Sequence, residues 1–186
     1  MTRWVLGVLL ALGALASGWL SRYLESSAPP SRAEGREPDF FMTDFTTVAM
    51  NPQGVPGREL QAEHVVHFAD TDTEELTLPR LCFRLDQPNP WCVTSERGWV
   101  SSDEETVHLL GDVHLWRKGG ADGSLLDVYT RDVTVLTRTE QAHTDAAARI
   151  VGSWGVATGI GLVARLPENQ VDLLSNVKTR YETKNR

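Results

Sequence analysis

The side chains with the most chemical potential are two cysteines, placed symmetrically about Gln87 on either side of a turn-forming stretch that runs from Asp86 to Pro90. In a simple hairpin Cys82 and Cys92 face each other directly, where Cβ separations approach disulfide range. A bond between them requires an oxidising compartment, and a pair of reduced thiols is the alternative reading. The histidines do not converge. His64 and His67 are three apart, which puts them on opposite faces of a strand. His108 and His114 can share a face, but no cysteine or carboxylate joins them at metal-ligand spacing, so neither a metal nor a cofactor is expected. Asp103, Glu104 and Glu105 read as a solvated acidic turn. The chain has no G-x-S-x-G elbow, no paired-carboxylate arrangement and no phosphate-cradling glycine loop. It is not expected to be an enzyme.

Charge narrows the partners. With 25 acids against 18 bases the formal charge is -7, and no basic run or basic-aromatic stripe interrupts that excess. Nucleic-acid binding is a poor fit to such a surface. Anionic headgroups would not attract it either, so any lipid ligand would be held by apolar contacts.

The elements that must position these residues begin with a membrane segment. Residues 4–20 (WVLGVLLALGALASGWL) carry no charge, and Trp4 and Trp19 stand at the two ends. As a helix this run spans about 26 Å, close to the ~30 Å hydrocarbon core, with aromatic rings at the interfaces. Residues 1–22 are therefore read as a single transmembrane anchor. The competing reading is a signal peptide cleaved after Ala16, because Arg3, the apolar run and Ala14-Leu15-Ala16 also fit that pattern. Gly7/Ala11 and Ala14/Gly18 are small-xxx-small pairs that would let a partner helix approach closely.

Residues 23–39 are rich in proline, serine and charge and read as a linker. From residue 40 to 186 short β-branched and aromatic runs alternate with turn clusters, the pattern of antiparallel strands. No helical apolar stripe persists for three turns, so this part reads as all-β. Strand phase between Ala62 and Phe68 is ambiguous. An internal repeat is present: Val107-x-Leu109-x-x-x-Val113 recurs as Val171-x-Leu173-x-x-x-Val177, which fits strands stacking into a folded sheet or roll. Gly111 inside the Val107–Val113 copy suggests a bulge or bend, and Gly54 a turn with positive φ. Gly152, Gly155, Gly159 and Gly161 are read either as bends in late strands or as a flexible loop.

Several segments resemble one family in order. Asn51-Pro52-Gln53-Gly54, followed by Ala62-Glu63-His64-Val65, resembles the N-P-x-G turn and A-x-H-V strand that open the LptC domain. The segment from Leu110 to Leu115 resembles that family's L-x-G-x-V element, and the stretch from Asn176 to Glu182 its last strand. The resemblance covers the anchor and nearly all of residues 40–182.

It implies an elongated antiparallel β-jellyroll, two folded-over sheets with an apolar groove between them. It also implies an inner-membrane, single-pass protein whose C-terminal domain lies in the periplasm. There it would take lipopolysaccharide from the LptBFG transporter and pass it to LptA, which docks edge-to-edge on the C-terminal strands. Groove residues are expected on the inward face: Phe45, Leu76, Phe83, Leu85, Val107, Leu109, Val113, Leu115, Val171 and Leu173. Partner contacts are expected at Gly7, Ala11, Ala14, Gly18 and Gly54 toward the transporter, and at Gly159 and Tyr181 toward LptA. The alternative function is an anchored periplasmic adaptor that holds proteins together without carrying lipid.

Overall fold

The computed structural model describes residues 37–84, 88–118 and 125–181. The anchor read over residues 1–22, with Gly7, Ala11, Ala14 and Gly18, lies outside the described residues, as does Leu85.

The described chain is an antiparallel β-meander. Its strands are β1 (Pro38–Met50), β2 (Pro56–Phe68), β3 (Thr73–Thr77), β4 (Arg80–Phe83), β5 (Trp91–Val100), β6 (Thr106–Lys118), β7 (Leu125–Leu136), β8 (Gln141–Gly152), β9 (Gly155–Arg165) and β10 (Gln170–Tyr181). They form one ten-stranded sheet in which sequence neighbours pair, except that β3 and β4 do not pair with each other but share the place between β2 and β5. The all-β reading holds. The first strand starts at Pro38, so the sheet takes in two residues read above as linker.

One sheet makes two layers because nearly every strand is interrupted near its middle. Positive φ occurs within or between strands at Asp44 (51°), Leu78 (49°), Gly111 (83°), Asp132 (46°), Gly161 (75°) and Asn176 (52°). The pairing registers align these positions across the sheet, and ladder pairing skips there from β5 to β10. Glycine, aspartate and asparagine are the types that tolerate a left-handed residue; Leu78 is the exception and is followed by Pro79, which has no N–H to give a ladder. Each interruption bends its strand, and together they form a crease.

The crease costs backbone hydrogen bonds, and short polar side chains replace several of them. Gly111 N donates to Asp132 Oδ1 at 2.9 Å. The Thr130 hydroxyl donates to Ala147 O at 3.0 Å, Thr144 to Arg131 O at 2.8 Å, and Ser95 to Arg97 O at 2.8 Å. These three are also among the few buried polar residues. Among the described residues no buried side-chain nitrogen or oxygen lacks a partner, as a closed interior demands.

The inner faces of the two layers form one core. In the first layer a register row runs Leu60, Leu81, Val93, Leu115, Val128, Ile150, Ala157. In the second the row runs Val100, Val107, Val135, Ala142, Ala164, Val171. All but Leu60 and Val171 are buried. Polar bonds between distant segments fasten the layers: Trp91 Nε1 donates to Asn169 Oδ1 at 3.2 Å, and Arg84 pairs with Glu140 at 3.2 Å. β4 and β5 pair in the predicted register, with Cys82 opposite Cys92 and Phe83 opposite Trp91.

Candidate functional site

Of the ten residues expected to line a groove, the nine described all belong to the inner core or pack against it. Leu76, Phe83, Val107, Leu109, Val113 and Leu115 are at most 5% exposed. Phe45, Val171 and Leu173, nearer the two edges of the sheet, are partly buried. In this state the middle of the roll is thus filled by its own side chains.

The interior opens at the β1 end. A cavity of about 140 Å³ lies between the layers, lined by the apolar side chains of Phe45, Ala49, Leu60, Leu81, Val100 and Val107. Arg58, Glu74 and Glu104 also line it, giving the pocket a polar side. Burial pushes the Glu74 carboxyl up, and the negative charge of Glu104 adds to that shift. The arrangement suits an amphiphile, with apolar walls for hydrocarbon and charged groups for a polar end.

Beside this cavity β1 is fastened to the sheet by a histidine. His67, the register partner of Glu74, reaches Asp39 Oδ1 with Nδ1 at 2.7 Å and Asp72 Oδ1 with Nε2 at 3.1 Å. The Phe40 ring stacks on it at 4.5 Å. The hydrogen bond to Asp39 is the main cause of a raised His67 pKa, with Asp72 adding to it, and the same bond lowers the Asp39 carboxyl. His64 points the other way, stacking on Phe41, as the three-residue spacing predicted.

Among the described residues β1 and β10 each pair with one strand only, so both ends of the described sheet are edges. The β10 edge exposes Leu174, Val177 and Tyr181, and β1 exposes Phe41, Val48 and Met50. Gly54 has φ 76° in the β1–β2 turn, where Asn51 Oδ1 accepts from Gln53 N and Val55 N at 3.0 Å each. Gly159 lies close against β10: a Cβ there would stand 3.0 Å from Ser175 O and 3.1 Å from Leu173 Cβ. Tyr181 ends β10 with its ring 6.2 Å from that of Trp154.

Cys82 and Cys92 form a disulfide between neighbouring strands, with Cα atoms 4.1 Å apart. Their row continues to Trp116, and the Arg80 guanidinium lies over that ring at 5.8 Å. Among the described residues no group of three His, Cys, Asp or Glu is placed to hold a metal.

The family described as "Lipopolysaccharide-assembly, LptC-related" matches residues 7–182. This chain belongs to the LptC family. The family is a non-enzymatic component of lipopolysaccharide transport. Relatives include the lipopolysaccharide export system protein LptC of Escherichia coli K12 and that of Shigella flexneri. Each is 22% identical over 185 residues, covering 99% of this chain and 95% of the relative. A structural likeness to LptH of Pseudomonas aeruginosa, an LptA-homologous periplasmic component, has a TM-score of 0.44 at 11% identity and covers 81% of this chain and 100% of the other.

The LptC-type motifs have identifiable structural roles. The N-P-x-G turn joins β1 to β2, and the A-x-H-V segment places Ala62 and Val65 in the core with His64 outside. Gly111 of the L-x-G-x-V element sits on the crease. Sequence reasoning missed the crease hydroxyls of Ser95, Thr130 and Thr144, the His67 clamp, and an outward ring stack of His114 on Tyr129. The one signal for the stack was a histidine and a tyrosine at outward positions of alternating strands.

Proposed function

We propose that this protein carries lipopolysaccharide without catalysis, sheltering its acyl chains between the two layers of the sheet. The chains enter from LptBFG at the β1 end and leave toward LptA along the β10 edge. The anchor holds the chain in the inner membrane as a single pass, with the β-domain in the periplasm. The observation that carries this reading is the cavity at the β1 end, apolar between the layers and charged on one side. Membership of a lipopolysaccharide-assembly family supports lipopolysaccharide as the lipid. Burial of hydrocarbon is worth ~0.8 kcal/mol per CH₂, so sheltering a few segments drives binding without a cationic clamp. The unpaired edges of β1 and β10 suit strand addition by partner sheets. A disulfide fits the oxidising periplasm.

The filled interior around Leu109, which has no exposed surface, favours the second reading, an anchored adaptor that never admits lipid. A plug separates the two. Ala49→Trp fills the cavity from β1 and leaves the β10 edge untouched, so a carrier loses capture of lipopolysaccharide by the purified full-length chain in detergent. Capture equal to that of the unmodified chain would remove the cavity from the account.

A further inference from the structure

The outward side of the crease carries a second recess that the lipid path does not use. It lies over β5, β6 and β7, has a volume of about 600 Å³, and is lined by Leu78, Thr94, Glu96, Asp112, Tyr129 and Arg131 among others. From these groups we infer that it is a saccharide-binding site, a reading that rests on the lipopolysaccharide proposal only for one source of the sugar.

The platform is aromatic and held in place. The ring of His114 lies parallel to that of Tyr129, with centroids 4.6 Å apart and an interplanar angle of 1°. Asp127 Oδ1 fixes His114 Nε2 at 2.7 Å, and Trp116 stacks on the same imidazole at 4.9 Å. Tyr129 nevertheless remains 45% exposed. A ring already held by its neighbours loses little freedom when a ligand packs on it.

The groups around the ring select the ligand class. Glu96 and Asp112 bring carboxylate acceptors, Arg131 a guanidinium donor, and Thr94 a hydroxyl that does both. The two carboxylates oppose a simple anion, and the guanidinium opposes a simple cation. A purely apolar chain would strip water from all three charges without replacing their hydrogen bonds. A sugar ring satisfies every group: its hydroxyls donate to the carboxylates and accept from the guanidinium, and its C–H face packs on the aromatic ring.

The crease builds this recess. Gly111 has φ 83°, and a Cβ there would lie 2.3 Å from the Glu96 carboxylate. Its bare backbone therefore gives Glu96 its position on the rim. Arg131 pairs only loosely with Asp132, at 3.9 Å, and its side chain is 64% exposed, which leaves the guanidinium able to turn toward a ligand.

Saturation-transfer NMR on the full-length chain in nanodiscs tests the site with two acyl-free probes. One is deacylated, dephosphorylated lipopolysaccharide, and the other is a soluble peptidoglycan disaccharide. Transfer to sugar-ring protons is expected with at least one probe, and the probe that responds identifies the source. Tyr129→Phe should keep the signal, whereas Tyr129→Ala should reduce it about fivefold. Glu96→Gln provides a second variant that leaves the ring stack untouched and should weaken binding. No transfer from the unmodified chain, or equal transfer in Tyr129→Ala, overturns the assignment. Because neither probe has acyl chains, this failure is distinguishable from loss of lipid capture in Ala49→Trp.

Discussion

The backbone N–H of Gly111 in β6 donates to the carboxylate of Asp132 in β7 at 2.9 Å, and both residues have positive φ, 83° and 46°. The bond spans the line where ladder pairing between these strands stops and restarts. It shows how one sheet becomes two layers: left-handed residues bend several of the strands at the crease, and a short side chain repairs the hydrogen bond that the bend removes. The same economy recurs at Thr130 and Thr144 between β7 and β8.

Gly111→Ala should destabilise the domain by about 1–2 kcal/mol, the cost of forcing an L-residue into the left-handed region. The overlap with Glu96 adds little, since that carboxylate ends a flexible side chain. Gly111→Asn should cost less, because asparagine tolerates this conformation. Urea midpoints of the three proteins give the order, and an alanine variant as stable as the parent would remove the strain from the account.

The phase of β2 was unreadable in the sequence for this same reason. Its inward positions run 58, 60 and 62 on one side of the crease, then 65 and 67 on the other, so strict alternation breaks between them. The inner face of β6 was legible because its inward residues, Val107, Leu109, Val113 and Leu115, keep one parity across Gly111. Ser95, Thr130 and Thr144 were not recognised because a period-two reading expects apolar residues at buried positions. What those hydroxyls satisfy is backbone carbonyls brought near by the fold. The Cys82–Cys92 opposition was legible because it depends only on symmetry about one turn.

Thiol counting on unreduced, denatured protein should find none, given the bond between Cys82 and Cys92. Replacing both by serine should lower stability by about 2–3 kcal/mol, as expected for a short closed loop. Two reactive thiols in the parent protein would contradict the bonded hairpin.

The clamp on β1 should depend on pH. His67 has a raised pKa, so its contribution is complete below the ordinary histidine value near 6.5 and is lost as pH rises through the raised value. Asp39 has a lowered pKa, so its contribution is present above the ordinary carboxylate value near 3.9 and is lost as pH falls through the lowered one. Hydrogen-exchange protection at Phe40, Phe41 and Met42, corrected for intrinsic rates, should therefore be highest between about pH 4 and pH 6.5 and weaken in alkaline buffer. His67→Gln should flatten the alkaline part of that profile; an unchanged profile would show that the clamp does not hold β1.

On this reading the inward face of the roll receives lipid during transport. In-cell photo-crosslinking from Leu76 and Leu109, both in the core, tests it against His108, whose ring stacks on Trp99 on the outward face. Lipopolysaccharide adducts at Leu76 and Leu109 with none at His108 are the predicted result and require the layers to part during transport. Adducts at His108 with none at either leucine would contradict the account.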